Sequence, residues 1–534
     1  MAIWRSIAKV GSATIASRIL GFIRDAMIAG ALGGGAVADA FVIAFRLPNL
    51  LRRLFAEGVF SSAFVPLYTR TLADEGEDGA ARFAGEIASG LFAVILVTLG
   101  LALLLAPLLV GAMAFGFTAD KAKFDLTVVL TRICLPYLGC MSLIGLLGGV
   151  LAAHRRYLAA AAAPVVLNVI LIGALILIEA LGYVRSVEAG YILSIGVALA
   201  GFAQLTLVAL AVWRSGIRLR LKWPTFTTSI RRLMTRSVPV VVGGGITQIN
   251  ILVGTAIASM QAGAVANLYY ADRVYQLPLG VIGIAIGVVL LPELLHRIRL
   301  GREDLAIDTQ NRSLEMALAL TVPAAVGLFV AAHPILEVLF ERGAFGPRDT
   351  AHTAAALRGF AVGLPAFVMI KIFSAALFAR HDLKTPMWAG IVAFVVNAAL
   401  SIALFDRMGG AGIAVATSAA GWINAGMLWV VLSRQKHWRV DGGFETRVPK
   451  LLIAAAAMGV ITWVLREVLD PMLGAENALV VKTGALMALV GTGVVVYAGL
   501  GILLGGASPA AIREAFRRDE ALPPDPLMSM VSGD

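Results

Sequence analysis

Ten stretches of this 534-residue chain run for about twenty residues or more without an Asp, Glu, Lys or Arg, among them 88–119, 189–213, 237–271 and 483–512. A helix needs about 20 predominantly apolar residues to cross a bilayer. Shorter apolar runs at 359–370, 372–379 and 451–465 add to the count. So do two charge-bearing segments near 10–33 and 37–66. Charged residues are only 14% of the chain, against about a quarter in soluble domains. The expectation is an all-α polytopic membrane protein with about 14 transmembrane helices and short loops. Arg18 interrupts the first apolar run, which argues against a removable signal peptide.

The basic residues orient the helices. With the N-terminus in the cytoplasm and alternating spans, 27 of the 44 Lys and Arg residues fall on the inside and 7 outside. The positive-inside rule favours that arrangement, with both termini cytoplasmic. Lys121 and Lys123 count as outside loop residues in this reading. The basic strip 214–236 reads as a topology determinant lying on anionic lipid.

The two halves repeat at an offset near 228. Gly35-Ala36-Val37-Ala38-Asp39 recurs as Gly263-Ala264-Val265-Ala266-Asn267, Pro136 corresponds to Pro365, and Asn168 to Asn397. Six helices separate equivalent positions, so the repeats share one orientation. Parallel repeats are a transporter architecture with the substrate site between the halves. The expected organisation is an N-lobe over 1–222 (helices 1–6 and the following cytoplasmic loop) and a C-lobe over 223–446 (helices 7–12). Helices 13 and 14 then occupy 447–510, and 511–534 reads as a disordered cytoplasmic tail.

Ten basic residues remain inside helices, five of them in the first two: Arg18, Arg24, Arg46, Arg52 and Arg53. An arginine at mid-membrane costs about 2.5–3.5 kcal/mol on insertion scales, so such groups face a polar cavity. Asp39, Arg46 and Arg53 are seven apart and share a helical face, with Glu57 one turn beyond. Arg18 and Asp25 share a spacing of seven, and helix eight carries Asp272-Arg273. For Asp25, Asp39 and Asp272, ion pairs that stitch helices together are an equal reading. The excess of positive charge calls for an anion, and guanidinium forks suit phosphate or pyrophosphate oxygens. Intramembrane placement disfavours nucleic acid and favours a lipid-linked phosphate.

Other chemistry is missing from the sequence. There is no G-x-x-x-x-G-K-[ST], the six histidines lack metal spacing, and no His/Asp cluster suits a lipid phosphatase, so no enzyme is expected. Cys134 and Cys140 read as core residues.

The run from Ser17 to Asp25 (SRILGFIRD), the run from Arg46 to Gly58 (RLPNLLRRLFAEG) with Ala63-Phe64-Val65-Pro66, and Tyr269-Tyr270-Ala271-Asp272-Arg273 resemble the MurJ (MviN) lipid II flippases of the MOP transporter superfamily. The resemblance implies two six-helix lobes, with helices 13 and 14 forming a groove for the lipid tail. It implies alternating access that carries lipid II from the cytoplasmic to the periplasmic leaflet of the bacterial inner membrane, in peptidoglycan synthesis. It places the family's central arginines on Arg24, Arg52 and Arg273, with Arg18 and Arg53 as further head-group contacts. Asp25, Asp39, Asp272 and Glu57 then take gating or ion-pair roles. Some members hold sodium through carboxylates on helices 7 and 11. Here Gln248, Asn250, Asn397, Ser401 and Thr417 stand at those helices and helix 12, so tight sodium binding is not expected and membrane potential is the expected driving force. A monomer is expected, with cell-wall synthesis proteins as conceivable partners. The competing readings are a flippase for another polyprenyl-pyrophosphate-linked glycan and a cell-wall assembly scaffold that does not transport.

Overall fold

The computed structural model describes residues 2–52, 64–217, 219, 248–474 and 477–506. Among the described residues there are seventeen α helices and no strand. The N-terminal half contains α1 (Ala2–Leu32), α2 (Ala36–Arg52), α3 (Val65–Leu104), α4 (Ala106–Met113), α5 (Lys121–Cys134), α6 (Pro136–Ala153), α7 (Leu158–Ala180) and α8 (Val187–Arg214). Next come α9, described over Gln248–Ala258, then α10 (Ala264–Arg299), α11 (Glu303–Val330), α12 (Ala332–Phe340), α13 (Pro347–Ala379), α14 (Lys384–Met408) and α15 (Gly410–Arg434). Two long helices, α16 (Gly442–Leu473) and α17 (Leu479–Leu503), close the described chain.

Ten spans among the described residues are long and apolar enough to cross a membrane: α3, α5 continuing into α6, α7, α8, α11 and α13 to α17. The four other positions expected to hold a membrane helix carry α1, α2, α9 and α10. Proline punctuates several of these helices, because it lacks the N–H that continues the ladder. Pro136 opens α6 immediately after the turn at Leu135, so Cys134 ends one helix and Cys140 lies in the next. Both thiols are buried and free.

The described chain forms two compact units. One holds Met1–Gln276, Leu336–Phe360 and Met387–Ile423. Within it, α7 lies along α1 and α8, and α5 packs on α2. The second unit holds Leu277–Ile335, Ala361–Pro386 and Asn424–Asp534, and in it α16 packs on α17 and α11. Its polar ties include Arg380 to Glu303, Arg447 to Glu315 at 3.3 Å, and the Tyr497 hydroxyl donating to the Ala319 carbonyl at 2.7 Å. The tail and the basic strip lie outside the described residues, apart from the strip's first turn at 214–217 and position 219.

Candidate functional site

The charged cluster of the first unit forms around Asp25. α1 runs against α7, which brings Asn168 to α1 although 144 residues separate it from Arg24. The Asn168 amide donates to the Ser17 carbonyl at 2.8 Å and accepts from an Arg24 terminal nitrogen at 2.8 Å. Arg24 also donates to Asp25 Oδ1 through Nε at 3.0 Å and through its other terminal nitrogen at 2.7 Å. The guanidinium is thereby held by an amide and a carboxylate and is only 7% exposed.

Arg273 reaches the same carboxylate from α10. Its Nε lies 3.2 Å from Asp25 Oδ2, and a terminal nitrogen donates to the Tyr269 hydroxyl at 3.1 Å. That hydroxyl donates in turn to Asp25 Oδ1 at 3.1 Å. Tyr269 and Arg273 are four apart and so lie on one face of α10. The guanidinium sits over the Tyr269 ring, 4.6 Å from its centroid. The neighbouring Tyr270 fixes this end of α10: its hydroxyl donates to the Gly33 carbonyl at 3.2 Å, and its ring packs edge-on against Phe345. Two guanidiniums thus share one buried carboxylate, with the Asp272 carboxylate also within electrostatic reach of Arg273. The Arg273 side chain is 33% exposed, whereas Asp25 is 4% exposed. An incoming oxyanion would compete with Asp25 for both forks.

A second cluster stands at the glycine turn. Asp39 is fully buried and accepts from Lys123 Nζ at 2.6 Å, the Gly263 amide at 2.8 Å and the Ala266 amide at 2.9 Å. The repeated Gly-Ala-Val-Ala segments therefore lie against each other. Gly263 adopts φ +78°, and a Cβ there would collide with the Gly34 carbonyl, so glycine is needed for both the turn and the close approach. The same end is tied by the Ala344 amide donating to the Gly30 carbonyl at 2.7 Å and by Arg185 donating to the Ala344 carbonyl at 2.7 Å. Lys123, expected in an outer loop, is instead buried in the first turn of α5.

The remaining predicted residues are dispersed. Arg46 donates to the Thr255 hydroxyl of α9, and Asp272 accepts from Gln276 one turn along. Arg18 is exposed on α1 and is not drawn into the Asp25 cluster despite its sevenfold spacing. The Arg52 side chain, Arg53 and Glu57 lie outside the described residues. In the C-terminal half, Asn397 donates to Asn250 at 2.8 Å and accepts from Thr417 at 3.2 Å. Asn250 is the repeat counterpart of Gly21, which faces Asn168. The two repeat asparagines therefore tie equivalent helix pairs, α1 to α7 and α9 to α14.

The lipid II flippase MurJ family model matches residues 28–481. A probable lipid II flippase MurJ of Rhizobium meliloti is 45% identical over 519 residues, 97% of this chain and 97% of the relative. One from Rickettsia prowazekii is 33% identical over 504 residues, 94% of this chain and 98% of the relative. Among solved structures, a lipid II flippase MurJ in an inward closed conformation superposes with a TM-score of 0.76 at 24% identity, covering 92% of this chain and 98% of that one. An inward-facing multidrug resistance MATE transporter of the MOP superfamily gives 0.63 at 15% identity, over 79% and 95%.

Proposed function

The chain belongs to the MurJ family of lipid II flippases, which are transporters rather than enzymes, and on that premise we propose that it moves lipid II from the cytoplasmic to the periplasmic leaflet of the inner membrane by alternating access. The observation that carries the reading is the convergence of Arg24 and Arg273 on Asp25 in a membrane-embedded helix cluster. The lipid pyrophosphate replaces the Asp25 carboxylate between the two guanidiniums, and Tyr269 and Asn168 keep those groups oriented. Asp25 serves as the internal anion when substrate is absent, so the charges are never left bare in low dielectric. Arg18, Arg52 and Arg53 extend the cationic surface around the head group. Asp272 and Glu57 act as ion-pair partners as the halves move.

With both termini cytoplasmic, the glycine turn faces the periplasm. The ties among Asp39, Gly263, Ala266, Gly30 and Ala344 then close the periplasmic end, which is the arrangement for loading substrate from the cytoplasm. Helices α16 and α17 supply the surface for the lipid tail. The functional division in this reading is an N-lobe over 1–222, a C-lobe over 223–446 and helices 13 and 14 over 447–510. Asn250, Asn397 and Thr417, on the helices expected to face such a site, are linked by hydrogen bonds, and sodium coupling is not part of this reading. Membrane potential fits better as the driving force. Outward movement of an anion gains about 2.3 kcal/mol per net charge per 100 mV.

The test is flipping of labelled lipid II in vesicles reconstituted with the purified protein, under an imposed potential. Transport above protein-free vesicles is expected, fastest when the destination side is positive. No transport above that baseline overturns the reading, and transport indifferent to the potential removes the driving force.

A further inference from the structure

The repeated segments at the glycine turn match in backbone but differ in charge. Asp39 on α2 and Asn267 on α10 are repeat counterparts at offset 228. Each meets a residue of the corresponding later helix, Lys123 on α5 and Thr353 on α13, at offset 230. In the second half the pair is neutral: the Thr353 hydroxyl donates to the Asn267 side-chain oxygen at 3.3 Å. In the first half it is ionic, with Lys123 Nζ 2.6 Å from Asp39 Oδ2. All four side chains are buried. One fold position is therefore served by an amide–hydroxyl pair and by a carboxylate–ammonium pair, so packing alone does not call for charge.

The charge has a use at α10. First-turn amides of a helix have no acceptor in their own helix, and when buried they need one from elsewhere. Asp39 accepts from Gly263, just before α10, and from Ala266, the third residue of α10. A residue of α2 thus caps a helix of the other half. Capping within one helix is ordinary. Here the cap is also a tie between repeats, and opening this end must break it. A carboxylate buried to this degree is costly unless a counter-charge accompanies it. Lys123 is that counter-charge. It belongs to the same half as Asp39, and its ammonium also lies 3.9 Å from the centroid of the Phe117 ring.

We propose that Lys123 is a positioning residue of the gate: its ammonium balances and orients the Asp39 carboxylate, so that Asp39 latches the start of α10 while the pair is balanced and loosens it when either charge stands alone. A cavity of about 360 Å³ lined by Ala36, Val37 and Arg185 lies beside this end, so water can enter when the latch loosens. Hydration then relieves a lone charge on either partner. Neutralising one member therefore favours the open end, and neutralising both removes the imbalance.

The purpose of the latch rests on the flippase reading, but its test does not. Hydrogen exchange is followed by mass spectrometry on the full-length protein in lipid nanodiscs, without lipid II, in the peptide spanning 261–268. Lys123→Met and Asp39→Asn should each speed exchange of the Gly263 and Ala266 amides by about tenfold. The double variant Asp39→Asn/Lys123→Thr, which copies the pair of the second half, should return toward the wild-type rate. Exchange in α16 and α17 is the internal control for folding and should be the same in all four proteins. Unchanged exchange in Lys123→Met overturns the proposal. So does a double variant as fast as, or faster than, both single variants, because that marks a structural role rather than interdependent charges. Global acceleration in the single variants, reaching α16 and α17, also counts against it, since a latch acts locally.

Discussion

Asp25 pairs with both Arg24 and Arg273, and on the proposed reading it is the anion that substrate displaces. Asp25→Asn removes the resident anion but keeps the shape. Leaving buried charge uncompensated is strongly destabilising, by about 3–5 kcal/mol in typical cases. The variant should therefore melt earlier without ligand, bind lipid II several-fold more tightly, and turn over more slowly because release is harder. Thermal unfolding with and without lipid II checks this, and equal ligand-induced stabilisation in both proteins would contradict it. At this scale the sequence was partly readable. Arg24, Asp25, Asp39 and Arg273 stood out because charge inside apolar helices is anomalous. Asn168, Tyr269 and Lys123 did not stand out as site residues. Asn168 and Tyr269 are uncharged, and Asn168 meets Arg24 only because α7 folds back along α1. Lys123 sits three residues after Asp120, which caps α5, and so resembled a solvated loop cation.

Among the elements, the break between α3 and α4 shows an arginine of an apolar span with a structural task. Pro107 has no N–H, so the Leu103 carbonyl four residues earlier loses its helical partner. Arg132 of α5 donates to that carbonyl through Nε at 3.2 Å. The contact lies at the protein surface, where a hydrogen bond is worth about 0.5–1.5 kcal/mol. Arg132→Leu should therefore lower the melting temperature, whereas in a Pro107→Ala background, where the backbone donor returns, the same change should cost much less. Equal losses in both backgrounds would contradict the assignment. Charge anomaly alone cannot separate Arg132 from Arg24, since both are cations within apolar helices. The distinction appears only when each partner is known, a backbone carbonyl for one and a shared carboxylate for the other. The repeat was more legible: Gly35–Asp39 and Gly263–Asn267 are packed together, and Asn168 and Asn397 each tie an equivalent helix pair.

For the whole molecule, the sequence's apolar stretches anticipated an all-helical membrane protein, and the family model spans most of the chain. Long apolar runs report membrane helices directly, because the bilayer sets their length. Such runs say little about which helix ends are tied together. Those ties are contacts such as Asp39 with Gly263 and Arg185 with Ala344, made between residues far apart in sequence. The central claim is that this chain flips lipid II through the Arg24–Arg273 cluster. Its most direct measurement is the amount of lipid II exposed on the periplasmic face of a bacterium depleted of its own flippase and lacking a backup. Wild-type chain should restore exposure, and Arg24→Ala/Arg273→Ala, inserted at equal level, should leave it at the depleted baseline. Restoration by the double variant, or none by the wild type, would contradict the claim.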